Sequence, residues 1–345
     1  MKHGGVTKFS LQNLLGPIIV LILLTHFVGG ASTSLQLITQ MALCLFVMVL
    51  ALQVFVGNSG VLSFGHGAFA LIGSYVSAML TAPVNIKDNA LAMNQLWEPL
   101  VAPQVNIYVS LLISAAVSAF IAAITGIFLM RLNGLAAGIA TFALLGVAYN
   151  VFFNNKKIGP GSQALPGVPL IENNWILLLL AVISLIIVYF INISKVGRTL
   201  RATREDAMAA PALGISIFKV RLIAFILSGA IAGLAGGMYS HVAGTFQVQD
   251  YYLEFTFITL SMLIVGGSAS IWGALVGTFI ITAVGQVLLM MEQDLPVFGI
   301  QVQIPLGSRA VIIALTFVAM LLWRSGGVTN GKEFRIPKLK VKARK

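Results

Sequence analysis

Long apolar runs separated by short polar segments occupy almost the whole chain. A helix needs roughly 20 mainly apolar residues to cross the hydrocarbon core of a membrane. Ten runs approach that length, so the pattern predicts an all-α, polytopic membrane helix bundle of about ten transmembrane helices, within a range of eight to ten. The predicted spans are residues 11–28, 35–56, 62–82, 107–129, 134–153, 175–193, 222–242, 255–265, 271–291 and 309–323.

Two of these runs allow a second interpretation. The run 255–265 is short and ends at a pair of glycines, so it either extends into its neighbours or forms half of a re-entrant pair with 271–291. The first run has Lys2 and Lys8 before it and small residues at 30–32, which is also the layout of a cleaved signal peptide. Because many spans follow, we expect the first run to be retained as a helix.

The composition excludes the soluble classes of protein. Hydrophobic residues make up 58% of the chain and charged residues 9%, whereas a soluble domain carries about 25% charged residues to cover its surface. A soluble enzyme, a disordered protein and a secreted disulfide scaffold are therefore ruled out. The single cysteine, Cys44, lies in an apolar run and provides neither a disulfide framework nor a cysteine-based metal site.

The charged residues predict an orientation. With the N-terminus in the cytoplasm and alternating spans, 17 of the 21 basic and 3 of the 10 acidic residues lie inside, which leaves +14 inside and −3 outside. Basic residues concentrate on the cytoplasmic side of membrane proteins, so the net charge of +11 indicates cytoplasmic termini and requires no nucleic-acid partner. We divide the chain into a transmembrane domain, 1–324, and a basic cytoplasmic tail, 325–345. The basic residues outside are Lys87, Lys156, Lys157 and Arg309.

Under this assignment no Lys, Arg, Asp or Glu lies deep in a predicted span. A charge at the centre of a spanning helix costs roughly 2.5–3.5 kcal/mol on insertion scales and is kept for a purpose such as proton coupling. The pattern favours a transport path whose energy is supplied elsewhere, although a Na⁺ site of carbonyls and hydroxyls stays open. No closely spaced cluster of His, Asp and Glu predicts a metal site or a catalytic residue, so we expect no cofactor and no enzymatic activity.

One histidine stands out within the apolar pattern. His66 lies in the stretch 63–67 with a glycine on either side, and glycines let another backbone approach or let a helix unwind around a polar group. It either bonds to a carbonyl of a neighbouring helix or lines and gates a translocation path. For His26 and His241, at the outer ends of their runs, we expect interfacial, solvated positions. The candidate path residues are Ser63, Gly65, His66 and Gly67.

Glycines four residues apart recur in three of the runs. In membranes this spacing brings helices into backbone contact, so it predicts close helix packing more than a moving gate. The sets are Gly229, Gly233 and Gly237; Gly273 and Gly277; and Gly134 and Gly138.

The stretch 326–333 has the spacing of a phosphate-binding P-loop. It lacks the Ser or Thr that holds Mg²⁺, follows a predicted membrane helix instead of a strand, and precedes only a basic tail. We therefore reject nucleotide hydrolysis by this chain.

The longest inner loop, 194–221, holds six of the inner basic residues. Thr203, followed by two acidic residues, predicts the start of a helix whose dipole the acids complement. Pro211 limits this helix, and Gly214 supplies the conformation that ends it. A basic loop is typical of a topology signal, but a short helix with small side chains also fits a groove on another protein.

Three segments of the chain carry a family resemblance. They read Glu205-Asp206-x-x-Ala209-Ala210-x-x-Leu213-Gly214-Ile215, Gly57-x-x-Gly60-x-Leu62-Ser63-x-Gly65-His66-x-Ala68-Phe69 and Gly266-Gly267-x-x-Ser270-x-Trp272-Gly273. The first resembles the coupling loop in the membrane subunits of bacterial ABC importers. The other two, with 197–204 and 224–236, resemble the branched-chain amino acid permeases of the LivM type. The resemblance covers about residues 35–291, with departures at Val61 and 268–269 and a loose match at 159–164 that leave the substrate open.

The resemblance implies a permease subunit that provides the path for branched-chain or related amino acids across the bacterial inner membrane. Its implied partners are a second homologous permease, two ABC ATPases and a periplasmic substrate-binding protein. The alternatives are a permease of a urea or amide ABC importer and a stand-alone secondary transporter. The implied ATPase-coupling residues are Arg204, Glu205, Asp206, Ala209, Ala210, Leu213 and Gly214.

Overall fold

The computed structural model describes residues 12–89, 96–294, 304–323, 326–331 and 333. Lys2 and Lys8, which raised the signal-peptide alternative, lie outside the described residues, as does most of the tail 325–345.

The described residues form a bundle of helices that confirms the all-α prediction. Every one of the ten predicted spans contains a helix, and the described residues form no strand beyond an isolated bridge between Leu165 and Phe246. The helices are α1 (Gln12–Phe27), α2 (Thr33–Leu52, continued by a π-helix at Gln53–Gly57), α3 (His66–Thr81), α4 (Val84–Asn89), α5 (Glu98–Val101), α6 (Ile107–Leu129), α7 (Gly134–Asn154), α8 (Asn174–Ile193), α9 (Lys195–Glu205), α10 (Ile217–Ala243), α11 (Leu253–Gly266), α12 (Ile271–Glu292) and α13 (Ser308–Trp323), with 3₁₀ turns at Pro211–Leu213 and Val248–Tyr251.

Six helices are long and apolar enough to cross a membrane: α2 with its π-helix, α6, α7, α8, α10 and α12. The apolar helices α1, α3, α11 and α13 are shorter, at 14 to 16 residues. At about 1.5 Å per residue, the 14-residue α11 is roughly 21 Å long, and a turn at 267–270 joins it to α12.

Helix α10 forms the centre of the bundle and packs on α2, α3 and α6. Small residues make this packing tight. Gly73 of α3 lies against the backbone of Gly233, and Gly236 of α10 lies against the backbone of Ala70, so a Cβ at either glycine would collide with main chain. The close packing predicted from the glycine spacing in α10 is confirmed.

The glycines at the α11–α12 turn also pack closely against backbone, whereas Gly134 and Gly138 do not. Gly266 lies against the carbonyl of Gly273 and close to Gly277, so the two helices meet backbone to backbone. A side chain at Gly134 would meet nothing within 4 Å, and one at Gly138 would make only ordinary contacts. The packing prediction is wrong for this pair: Gly134 has φ +54°, so it serves the turn into α7.

Candidate functional site

Helix α9 places the predicted coupling loop against one end of the bundle. Ser194 caps its start, where Ser194 Oγ accepts a hydrogen bond from Gly197 N. Gly197 and Leu200 are buried, and a side chain at Gly197 would meet the backbone at the end of α8. The apolar side of α9 therefore packs on α8, while Lys195 and Arg198 on its other side are exposed.

The chain leaves α9 through a capped turn, and this corrects the predicted helix start. Thr203 is not an N-cap: it lies buried near the end of α9 and donates its hydroxyl to Leu200 O. Asp206 takes the capping role, because its Oδ1 accepts hydrogen bonds from Met208 N and Ala209 N at 2.8 and 2.9 Å. These bonds lower the pKa of Asp206. The predicted helix is also wrong, because residues 207–210 form turns that lead into the 3₁₀ turn Pro211–Leu213.

Residues 206–214, which we call the coupling knob, project from the bundle. Met208 is 90% exposed and Leu213 is 78% exposed, although apolar side chains of this size ordinarily gain free energy from burial. Ala210 is buried beneath them and accepts a hydrogen bond from Ile215 N, which closes the knob. Gly214 has φ +74°, so the left-handed end predicted for this position is present.

A buried polar network holds α9 to the end of α2. Arg201 donates from Nη1 to Asn58 Oδ1 and from Nη2 to Asn192 O, both at 2.7 Å. Asn58 Nδ2 donates to Asn192 Oδ1 at 2.7 Å, and Asn192 Nδ2 donates to Gln53 Oε1 at 3.0 Å. Burial, with the neighbouring charge of Arg198 as a smaller cause, lowers the pKa of Arg201. The network thus joins the π-helix at the end of α2, the end of α8 and α9.

Arg204 makes a second attachment beside this network. Its guanidinium donates to the carbonyl of Gly57, and its side-chain stem occupies the space next to Gly60, where φ is +71°. The backbone of Gly57 in turn lies against the carbonyl of Ser268 in the α11–α12 turn. A continuous set of contacts therefore runs from the coupling knob through α9 and the end of α2 to the α11–α12 turn.

The predicted coupling residues fall into two groups in the structure. Glu205, Ala209, Leu213 and Gly214 are exposed, whereas Arg204, Asp206 and Ala210 anchor or shape the loop. The residues missed by the sequence analysis are Gln53, Asn58, Asn192, Arg201 and Met208. Polar side chains at 53 and 192, inside otherwise apolar runs, were the available signal, since a buried polar group needs a partner.

The candidate path residue His66 is enclosed by the bundle. It is 1% exposed, with Nδ1 3.0 Å from Ser63 Oγ and Nε2 2.9 Å from Ser228 Oγ. Because Ser228 donates its hydroxyl to Phe225 O, it accepts from His66 Nε2, which leaves Nδ1 to accept from Ser63. The ring also lies near Phe55. Both ring nitrogens are therefore satisfied within the bundle.

The glycines beside His66 also lie in the packed interior. Gly65 precedes the first residue of α3 and faces Thr141 O, while Gly67 faces Tyr251 O and Thr256. Other segments of the chain therefore pack closely against both glycines.

The other two histidines differ from each other. His26 is exposed, as predicted, and its ring lies beside Trp175. The expectation of a solvated position is wrong for His241, which is fully buried. Its Nδ1 donates to Pro169 O at 2.7 Å, and its Nε2 lies 2.9 Å from Ser77 Oγ. The loop after α7 covers this end of α10, which the linear sequence does not reveal.

Residues 326–331 and 333, which we call the C-terminal clip, pack over the α11–α12 turn. Val328 N donates to Val265 O at 2.7 Å, and Thr329 donates from its amide and its hydroxyl to Gly266 O. Glu333 Oε1 accepts from Ile271 N at the start of α12. Burial raises the pKa of Glu333 to about 7. The stretch with P-loop spacing is therefore packed against the protein.

The fold and this site define a class of protein: a multi-pass helical membrane protein with an exposed knob at one end of the bundle. A family model described as the permease component of the branched-chain amino acid transport system matches residues 34–322, and the chain belongs to this family.

The relatives of the chain include several permeases. It is 24% identical to the high-affinity branched-chain amino acid permease LivM of Salmonella typhimurium, over 89% of this chain and 72% of LivM. It is 25% identical to a probable LivH of Methanocaldococcus jannaschii, over 69% and 74% of the two chains. It is 27% identical to the guanosine ABC transporter permease NupQ of Bacillus subtilis, over 71% and 78%. No solved structure matches.

Proposed function

We propose that this chain is one of two membrane subunits of an ABC importer for branched-chain or related amino acids. It lies in the bacterial inner membrane with both termini in the cytoplasm, and its transmembrane domain covers 1–324. A second permease completes the path, two ATPase subunits dock on the coupling knob, and a periplasmic binding protein delivers the substrate. The chain itself performs no catalysis.

The observation that carries this proposal is the exposure of Met208 and Leu213 on a knob held by polar anchors. Exposed apolar side chains at the centre of a small patch are typical of a protein interface. Basic residues of α9 and of the start of α10 flank the knob in the sequence, and the topology rule predicts a cytoplasmic position for them. An ATPase groove on that side would bury both apolar side chains.

The attachments of the knob support its role in transmission. A moving partner can drive the bundle only if the knob is rigidly held, and Arg201 and Arg204 tie α9 to α2. The contact of Gly57 with Ser268 extends that connection to α11 and α12. ATP binding by the partner subunits would therefore move α2 and the α11–α12 turn together.

The charge distribution supports ATP as the energy source over a stand-alone secondary transporter. Among the described residues, the charged side chains of the long apolar helices lie near helix ends, as Lys219, Arg221 and Glu292 do. Proton coupling ordinarily uses an ionisable group within the membrane.

The cargo is proposed from the family and from the names of LivM and LivH. NupQ is named for guanosine, so membership of this group does not by itself select amino acids over urea, amides or other solutes. A path role for Ser63, Gly65, His66 and Gly67 stays a prediction, and it requires α3 and α10 to separate, since both enclose His66.

The docking proposal is tested by Leu213→Glu. The permease is co-expressed with its partner permease and tagged ATPases, and the amount of this chain that co-purifies in detergent is measured. A buried glutamate in an apolar groove costs several kcal/mol unless it is paired, so we expect Leu213→Glu to lose most of the bound ATPase.

Leu306→Glu is the matched control. The exposed fraction of Leu306, 86%, is similar to that of Leu213. Leu306 lies in the connection between α12 and α13, at the opposite end of the bundle. It should co-purify at the wild-type level. Wild-type recovery of Leu213→Glu together with the ATPases would refute docking at the coupling knob.

A further inference from the structure

A cavity of about 520 Å³ opens at the end of the bundle that is predicted to face outward. It lies between α2, α11, α12 and α13, with the 3₁₀ turn Val248–Tyr251 at its edge. Small-molecule sites usually enclose about 300–1,000 Å³ and combine apolar walls with a few polar groups. This cavity has the size for one amino acid.

The walls of the cavity are apolar. Leu37 and Met41 of α2 face Phe255 and Ile258 of α11, and Ile281 of α12 contributes to the same surface. Branched and unbranched aliphatic side chains gain free energy when such a surface removes them from water. The interior therefore suits an aliphatic side chain of the ligand.

The mouth of the cavity carries charges of both signs. Asp250, Glu254 and Arg309 line it, and Arg309 Nη2 lies 2.8 Å from Glu254 Oε1. Asp250 Oδ2 accepts a hydrogen bond from Gln247 N, which fixes that carboxylate. The Arg309–Glu254 pair is partly exposed, and exposed ion pairs contribute little stability, so both groups can exchange partners at small cost.

A polar group inside the cavity is also unsatisfied. Thr282 Oγ1 is shielded from solvent and has no hydrogen-bond partner among the described residues. Gln286, one turn further along α12, lines the same cavity.

A neighbouring cavity between α1, α2 and α12 provides a contrast. It shares Ile38, Thr282 and Gln286 with the first, but its other lining residues are uncharged. It has no group to hold a charged ligand. The charged mouth is therefore the feature that assigns a ligand class to the first cavity.

We propose that the outer cavity binds a zwitterionic α-amino acid with an aliphatic side chain. Arg309 holds the α-carboxylate, Asp250 and Glu254 hold the α-ammonium, and the apolar walls receive the side chain. The site gives this chain a share in selecting the substrate before the path opens. The assignment rests on the proposed function and names the substrate class at a specific place in the chain.

Substitution of Gly285 tests the apolar part of the site. Gly285 lines the cavity, and a Cβ there would meet only Ile313 Cδ1, at 3.8 Å. Gly285→Leu therefore fills the cavity without moving backbone. One missing or added methylene changes selectivity by about 10–200-fold, so we expect the ratio of leucine to valine uptake to fall about tenfold, with Gly285→Ala in between.

The assay is ATP-driven uptake by the assembled transporter in vesicles, with its binding protein loaded and saturating. Gly146→Leu is the control, because Gly146 also lies in a helix and a Cβ there meets nothing within 4 Å. It should keep the wild-type ratio. An unchanged ratio in Gly285→Leu would overturn the proposal. If that variant carries neither amino acid, the ratio measured for Gly285→Ala decides in the same way.

Arg309→Gln tests the charged part, with Arg309→Lys as the conservative variant. We expect uptake of both amino acids to fall about tenfold, because a hydrogen bond from a charged donor to the α-carboxylate is lost, and Arg309→Lys to restore part of it. Lys157→Gln, at an exposed outer lysine, should match the wild type. Wild-type uptake by Arg309→Gln would reject the site. If the wild-type transporter carries no amino acid, the proposed function itself fails.

Discussion

At the scale of residues, the side chains that hold α9 are polar in an otherwise apolar region. Arg201 donates hydrogen bonds to the side chain of Asn58 and to the carbonyl of Asn192. The side chain of Asn192 in turn donates to Gln53. Such a network is costly when only part of it is satisfied. It therefore specifies one position of α9 on the bundle.

Arg201→Met should destabilise the protein by about 2 kcal/mol, because hydrogen bonds from a charged donor contribute about 1.5–3 kcal/mol and their acceptors remain buried. Arg201→Lys should not restore stability, since an ammonium does not reproduce the two-pronged geometry. The measurement is thermal unfolding of the purified protein in detergent.

Arg198→Met is the control for that experiment, since Arg198 lies on the exposed side of the same helix. It should unfold within about 0.5 kcal/mol of the wild type. Equal stability of Arg201→Met and Arg198→Met would show that the network does not fix α9.

At the same scale, the sequence showed which residues were unusual but not what they contact. The glycines beside His66 predicted close packing, which the structure contains, but the sequence did not reveal the partner Ser228, 162 positions away. His241 looked interfacial by position, and a distant loop buries it. Partners so far apart in sequence leave no local pattern.

At the scale of elements, the C-terminal clip and the α11–α12 turn form one unit. The clip binds the carbonyls of Val265 and Gly266 and reaches the start of α12 through Glu333. This turn also touches Gly57, so the clip stabilises the far end of the contacts that begin at the coupling knob.

The clip should depend on pH through Glu333. In the folded protein burial raises the pKa of this carboxyl to about 7 from its ordinary 4.5, against the opposing effect of the amides of Ile271 and Trp272. The detached clip loses its proton earlier, so attachment is strongest below pH 4.5, weakens as the pH rises to about 7, and then stays level.

Hydrogen exchange of the Val328 and Thr329 amides measures this attachment. The side chain introduced by Glu333→Gln stays neutral at every pH. Protection of these amides in the wild type, divided by their protection in this variant, should decrease between pH 5 and 7, roughly the interval over which Glu333 titrates. A constant ratio between the two proteins across this interval would show that Glu333 does not control the clip.

The elements were largely predictable because long apolar runs have few alternatives to helices in a membrane. All ten runs contain a helix, and α6 has the bounds 107–129 given by its run. Capping was less predictable: Thr203 and Asp206 are both good caps, and only the packing of α9 on α8 selects between them. The π-helix at Gln53–Gly57 and the clip depend on tertiary contacts.

At the scale of the whole molecule, the two proposed functions lie at opposite ends of the bundle. The end predicted to face the cytoplasm carries the coupling knob on its polar anchors, and the end predicted to face outward carries a cavity with a charged mouth. The chain belongs to the family of branched-chain amino acid permease components, and the proposed partners supply ATP hydrolysis and substrate capture. We propose that force enters this chain only through the coupling knob.

Uptake into vesicles that contain the assembled transporter tests this claim most directly. The vesicles carry ATP on the side of the ATPases, and leucine uptake is compared with and without ATP, with and without a protonophore, and for Leu213→Glu against Leu306→Glu. We expect uptake that requires ATP, resists the protonophore and is lost only in Leu213→Glu. Uptake that continues without ATP and collapses with the protonophore, or that is unchanged in Leu213→Glu, would contradict it.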